Sequence, residues 1–312
     1  VGKSKVIIKK GSILNLEFKE LIGNEKVKDI LTNIIKLNKI AHSYIFCGPS
    51  GIGKTLFAKE FAKMILCDDK IIRPCGKCKS CVEIENNNNP DFILISQEEK
   101  KIKIDQIRQL QEKIIEKPII SNKKIYVIKD ADTMTKEAQN CLLKTLEEPP
   151  AYITIILIVE NESMILNTIK SRCTKVMFNK IPNEELKNYL ETIHGLNNIT
   201  TNILKASNGS ITRAINFCEN IEFYKQIDKV FTNIESLNLL DVLNKLEFLY
   251  KNKEEIYDVL DYINVILCSQ CKKNFKYIKY VNQIEETKKR LKASSNYDMC
   301  IDKLLYEIWE EV

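Results

Sequence analysis

Over residues 1–178, short apolar runs alternate with stretches of helical periodicity. The runs are Tyr44–Cys47, Asp91–Ile95, Lys124–Ile128 and Ile153–Val159, with Lys175–Phe178 as a fifth. Runs apolar at consecutive positions predict strands buried on both faces. Strands alternating with helices predict a parallel sheet covered by helices. Behind the first run, Leu56, Phe57, Phe61, Ala62 and Ile65 fall on one face of a predicted helix. The pattern then changes. Pro182 is the last proline and Gly209 the last glycine, so residues 210–312 contain neither. Leu239, Leu240, Val242, Leu243 and Leu246 recur there at helical spacing, which predicts a bundle of helices. Pro182-Asn183-Glu184-Glu185 reads as a helix start and His194-Gly195 as a stop. The expected organisation is an α/β domain over residues 1–178, a small helical domain over 179–222 and an all-α domain over 223–312.

Between the first run and its helix lie Gly48, Pro49, Ser50, Gly51, Ile52, Gly53, Lys54 and Thr55, which fit G-x-x-x-x-G-K-[ST] in full. Glycines there let the backbone turn tightly and aim its N–H groups inward at phosphate. Lys54 is expected to reach the β- and γ-phosphates and Thr55 to hold Mg²⁺, with the helix N-terminus adding its dipole. The strand–loop–helix context supports nucleotide binding, with ATP or ADP and Mg²⁺ as the expected ligands.

Composition changes this picture little. Hydrophobic residues make up 44% and charged residues 29% of the 312, an ordinary soluble profile. No apolar run approaches bilayer length and the segment VGKSKVIIKKG lacks a signal-peptide core, so a cytoplasmic setting without membrane contact is expected. The net charge of +6 is concentrated in residues 1–222, which carry 34 basic against 27 acidic residues. That diffuse excess supports nearby nucleic acid only weakly.

Eleven cysteines in a chain of this size argue for reduced thiols. Four of them, Cys67, Cys75, Cys78 and Cys81, follow the phosphate-loop helix closely enough to surround one ion. Four thiolates suit structural zinc, which needs no open coordination position. An iron–sulfur cluster also uses Cys-x2-Cys-x2-Cys, but its usual Cys-Pro partner is absent. Cys268 and Cys271 sit at i and i+3 of a predicted helix and are expected to be buried packing residues. His42 and His194 have no metal-binding pattern around them.

A P-loop hydrolase needs a second strand ending in an Asp that holds Mg²⁺. The candidate, Ile125–Ile128, is followed by Lys129-Asp130-Ala131-Asp132. Lys129 takes the metal-binding position. Asp130 comes one residue late, and a one-residue slip along a strand turns a side chain to the other face. Impaired or absent hydrolysis is expected. The alternative is that the strand ends early and Asp130 swings in as metal ligand.

Several stretches resemble one family, the clamp-loader subunits of bacterial DNA polymerase III within the AAA+ ATPases. They are Ala41-His42-Ser43-Tyr44 running into the phosphate loop, the four-cysteine insert, and Asn140-Cys141-Leu142-Leu143-Lys144-Thr145-Leu146-Glu147-Glu148-Pro149-Pro150. Ser171-Arg172-Cys173 and Gly209-Ser210-Ile211-Thr212-Arg213-Ala214 complete the set. Residues 17–220 carry the resemblance. It implies an AAA+ P-loop domain, a helical lid and a C-terminal collar that joins a hetero-oligomeric ring. It further implies Arg172 as an arginine finger acting on a neighbour's γ-phosphate, and Arg213 as a sensor contacting nucleotide in its own subunit. A first sensor is expected near Val159-Glu160-Asn161, where Asn161 is the neutral polar residue. Within the family, gamma/tau subunits hydrolyse ATP through an intact Asp-Glu pair, whereas the delta-prime stator has a degenerate one. Lys129 and Asp130 resemble the latter. The implied partners are gamma/tau and delta subunits, the sliding clamp and primer-template DNA.

Overall fold

The computed structural model describes residues 15, 16, 18, 21–97, 100–196, 199–234, 239–271, 274–293 and 295–310. The arm Val1–Lys10 lies outside them. Two compact units divide the chain, residues 1–181 and 182–312.

The first unit is built from β1 (Asn15–Leu16), α1 (Glu25–Lys36), β2 (Ser43–Cys47), α2 (Lys54–Leu66), β3 (Ile72–Arg73), α3 (Lys79–Glu85), β4 (Phe92–Ile95), α4 (Ile104–Ile114), β5 (Lys124–Ile128), α5 (Lys136–Glu147), β6 (Ile153–Val159), α6 (Asn167–Lys170) and β7 (Thr174–Met177). Five strands form one sheet in the order β4-β5-β6-β2-β7, and every pairing is parallel. Each of the five runs read from the sequence is one of these strands. Strands β2, β5 and β6 are buried at every position, as central strands covered on both faces must be. The pair β1–β3 is two residues long and had no periodic signal to betray it.

Alternation along the strands sends successive side chains into two separate cores. On one face, Tyr44, Phe46, Ile125, Val127, Ile156 and Ile158 pack with Phe57, Ala58 and Phe61 of α2. On the other, Ile45, Cys47, Tyr126, Ile128, Leu157 and Val159 pack with Leu110 of α4 and Ala138 and Leu142 of α5. The predicted face of α2 is rotated slightly. Leu56 is exposed, while Ala58, Met64 and Leu66 are buried. Helix α5 ends at Glu147, where Pro149-Pro150 stop it.

The second unit is helical throughout its described residues: α7 (Asn183–Ile193), α8 (Thr201–Ser207), α9 (Ile211–Glu219), α10 (Ile221–Thr232), α11 (Leu239–Lys245), α12 (Phe248–Lys251), α13 (Ile256–Cys271), α14 (Tyr277–Lys292) and α15 (Tyr297–Glu310). Phe217 of α9, Tyr224 and Phe231 of α10, and Tyr262 and Ile266 of α13 belong to one hydrophobic cluster. The boundary expected at residue 222 therefore runs through a shared core. Of the leucines that suggested the bundle, Leu246 is buried and Leu240 exposed; the side chains of Leu239, Val242 and Leu243 lie outside the described residues. Cys268 corrects an expectation, being exposed, while Cys271 is half-buried. Helix α13 buries Ile263, Ile266 and Leu267, and one further residue of helical rotation carries Cys268 to the outer face.

Candidate nucleotide site and its surroundings

The loops after β2, β5, β6 and β7 leave the same edge of the sheet, where ligands of open parallel sheets bind. Cys47 pairs in register with Val159 of β6 and Met177 of β7, so the phosphate loop starts between two strands. Gly48 donates its N–H to the Val159 carbonyl at 3.2 Å. A Cβ at Gly48 would lie 2.6 Å from the Phe178 carbonyl oxygen, so packing admits no side chain there. Gly51 and Gly53 have φ of 70° and 90°, the left-handed region that glycine enters without strain. Ile52 anchors the loop in the core, and α2 begins at Lys54. Gly48 to Thr55 thus form one turn, with Pro49 and Ser50 at its rim.

Lys54 is 5% exposed, and its Nζ donates to the carbonyls of Gly48 and Pro49, each at 2.6 Å. Burial pushes its pKa down, opposed by the carboxylates of Glu160 first, then Asp132, and more weakly Asp130. Glu160 and Asp132 were not singled out from the sequence. Asp132 Oδ2 accepts the N–H groups of Glu160, at 3.3 Å, and Asn161, at 2.9 Å, tying the turn after β5 to the end of β6. Asn161, the expected sensor, spends its Oδ1 capping the next turn, accepting from Ser163 N at 3.0 Å and Ser163 Oγ at 2.6 Å.

At the end of β5 the backbone stays laddered through Lys129, whose N–H donates to the Ile95 carbonyl at 2.8 Å. Ile125 and Val127 face α2, so alternation carries Lys129 to that face too. Asp130 then turns at φ 52°, and its carboxylate stands 3.9 Å from Lys129 Nζ. A cation thus follows the strand where a metal ligand would stand. Thr55 follows Lys54 at the start of α2, and the residue that follows β5 on the α2 face is Lys129 rather than a carboxylate.

Arg172 and Arg213 are placed very differently. Arg172 donates from Nη1 to the Thr168 carbonyl and from Nη2 to Glu147 Oε1, both at 2.8 Å. The Arg172 and Glu147 side chains are 36% and 50% exposed, and a pair so exposed contributes about 0.2–1 kcal/mol. Its backbone is fixed more firmly, because Ser43 Oγ at the start of β2 donates to the Arg172 carbonyl at 2.7 Å. Burial pushes the neighbouring Cys173 thiol up.

Arg213, in the second unit, donates from Nη2 to Asp261 at 2.7 Å. Its Nε lies 2.8 Å from Asp258 Oδ1, an ion pair without hydrogen-bond alignment. Its guanidinium also lies 5.7 Å from the Phe217 ring centroid. Lys288 of α14 reaches the same Asp261 at 2.5 Å. Arg213 is therefore engaged by α13, with its charge met inside the helical unit.

The four cysteines converge. Cys67 closes α2, Cys78 caps α3 and Cys81 lies in its first turn. All four Sγ atoms lie within 4.8 Å of one another, and Cys78 and Cys67 are 4.0 Å apart. A tetrahedral Zn²⁺ with sulfur at about 2.3 Å needs S···S edges of roughly 3.8 Å, so the donors fit with a small contraction. The amides of Cys78 and Cys81 point at Cys75 Sγ, 3.2 Å, and Cys78 Sγ, 3.5 Å. Burial pushes Cys67 up to about 11; at Cys75 burial is outweighed by the Lys77 and Cys78 amides, which bring it down to about 7. The insert is tied to the sheet edge. Ser80 Oγ meets Ser121 Oγ at 2.7 Å, and the buried Asp91 accepts the amides of Ile119, Ile120 and Ser121 at 2.7–2.8 Å.

Among the described residues no helix is long and apolar enough to cross a membrane. A family model described as DNA polymerase III, delta subunit, matches residues 23–182. DNA polymerase III subunit gamma of Buchnera aphidicola is 36% identical over 210 residues, covering 65% of this chain and 58% of that protein. Subunit delta' of Bacillus subtilis is 33% identical over 213 residues, covering 68% and 64%. The chain spans less than two thirds of either relative. A solved gamma subunit-related protein from Thermotoga maritima shares the fold, with a TM-score of 0.50 at 18% identity over 90% of this chain and 99% of that one. The parallel sheet, the phosphate loop at its edge and the matched stretch agree. This chain belongs to the DNA polymerase III clamp-loader family, whose members include the gamma/tau and delta' subunits.

Proposed function

We propose that the chain is a delta-prime-like stator of a bacterial clamp loader: it holds a nucleotide without turning it over and lends Arg172 to a neighbouring motor subunit. The observation that carries this reading is Lys129, a cation on the α2 face where a hydrolytic site needs a metal-binding carboxylate. Asp130 sits in a left-handed turn and Asp132 is spent on the amides of Glu160 and Asn161. Neither replaces the missing ligand.

Arg172 suits a role outside its own subunit. Its backbone is pinned to β2 while its guanidinium is half-exposed and lightly paired, leaving N–H groups for a phosphate across a subunit boundary. Arg213, held by two aspartates, braces α9 against α13 in this reading. The proposed partners are gamma/tau and delta subunits in a hetero-oligomeric ring, a sliding clamp and primer-template DNA, in the cytoplasm. Zinc in the four-cysteine site would brace α2 against α3. About one equivalent of zinc in the purified chain, lost on Cys78→Ser, checks that assignment.

The test of the main reading is reconstitution with motor and delta subunits. Arg172→Ala should leave assembly intact and lower the steady-state ATPase of the complex by roughly 10³-fold at the site it serves. Unchanged hydrolysis in an assembled complex contradicts the finger. A second reading, a gamma/tau-like motor with Asp130 as metal ligand, draws support from the complete phosphate loop and the 36% identity to a gamma subunit. It requires hydrolysis by the purified chain.

A further inference from the structure

The phosphate loop of this chain faces a carboxylate that its role as a nucleotide brace does not require. Strand β6 ends at Val159, whose carbonyl takes the Gly48 N–H, so Glu160 is the next residue beside the start of the loop. Ile156 and Ile158 face α2 while Ile155, Leu157 and Val159 face away. The same alternation carries Glu160 to the α2 face, the side on which Lys54 opens the helix. Its backbone is held there, because the N–H groups of Glu160 and Asn161 both donate to Asp132 Oδ2. Among the charges acting on Lys54, that of Glu160 is the largest. The neutral residue expected to meet a terminal phosphate, Asn161, is turned into its own cap.

We infer that this loop selects a nucleoside diphosphate over a triphosphate, with Glu160 as the residue that sets the preference. The inference rests on the nucleotide-holding part of the stator reading. The lysine of such a loop serves the β- and γ-phosphates. Here Lys54 donates to the Gly48 and Pro49 carbonyls, and strand alternation sets the Glu160 carboxylate on its side of the sheet. A diphosphate brings no γ-phosphate toward that carboxylate. A triphosphate brings an additional anionic group toward Glu160 and Asp132, and like charges brought together at a partly desolvated site oppose binding. Lys129 offsets part of this field, but its own nearest anion is Asp130.

The test uses the purified full chain with fluorescent ADP and a non-hydrolysable fluorescent ATP analogue, each titrated with Mg²⁺ present. The wild type should bind ADP about tenfold more tightly than the triphosphate. Glu160→Gln should bring the two within about threefold by strengthening the triphosphate more than ADP, with an unchanged far-UV circular dichroism spectrum and unfolding midpoint as the check that the fold is intact. Asp132→Asn, which weakens the tether of Glu160, should narrow the gap in the same direction. Equal or tighter triphosphate binding by the wild type overturns the inference, as does a ratio that Glu160→Gln does not move. If neither nucleotide binds and Lys54→Ala changes nothing, the nucleotide-holding reading fails and takes this one with it. A triphosphate preference that Lys54→Ala abolishes leaves that reading standing and overturns the diphosphate selectivity alone.

Discussion

Strands β2 and β5 lie in the same parallel sheet, each buried at all five positions, yet their ends have diverged. The turn after β2 is a complete phosphate loop. Gly48 is wedged against the Phe178 backbone just past β7, Ile52 sits in the core and Lys54 is buried. The turn after β5 carries Lys129, 47% exposed, and Asp130, whose carboxylate makes only a 3.9 Å approach to it. The difference is one of packing. Residues of the loop hold up the sheet edge as well as serving a ligand, whereas the carboxylates of a hydrolytic strand end serve only metal and water. A change of side chain after β5 therefore costs the fold little, whereas a change in the loop costs it a great deal.

A paired stability measurement sharpens this contrast. Gly48→Ala should lower unfolding stability by about 1–3 kcal/mol, because the new methyl meets the Phe178 backbone and the strand must shift. Lys129→Asp should change it by less than about 0.5 kcal/mol, since only a half-exposed side chain is altered. Comparable losses from the two, followed by chemical denaturation, would break the comparison.

How much was legible follows the same division. The five strands could be read because burial on both faces forces continuous apolar runs, and α5 because its apolar spacing ends at two prolines. The phosphate loop and the cysteine set were legible because their chemistry is local in sequence. The placement of Lys129 on the α2 face was legible from the two-residue repeat of a strand. What stayed hidden depends on contacts between distant segments. Arg213 gives no local sign that it will meet Asp258 and Asp261, and Cys268 none that it will face outward. Nothing near Asp91 announces three amides from residues 119–121. Glu160 is an intermediate case. Strand alternation counted on from Ile158 places it beside the loop, whereas the resemblance implies a neutral sensor and so favours Asn161.

The central claim is that this chain keeps nucleotide without consuming it. Its most direct test follows phosphate release by the purified chain at ATP concentrations shown by titration to occupy the loop. The account predicts saturable binding that Lys54→Ala abolishes and phosphate release no faster than that variant's background. Turnover in the wild type that disappears with Lys54→Ala would contradict it, and would return Asp130 to the role of metal ligand.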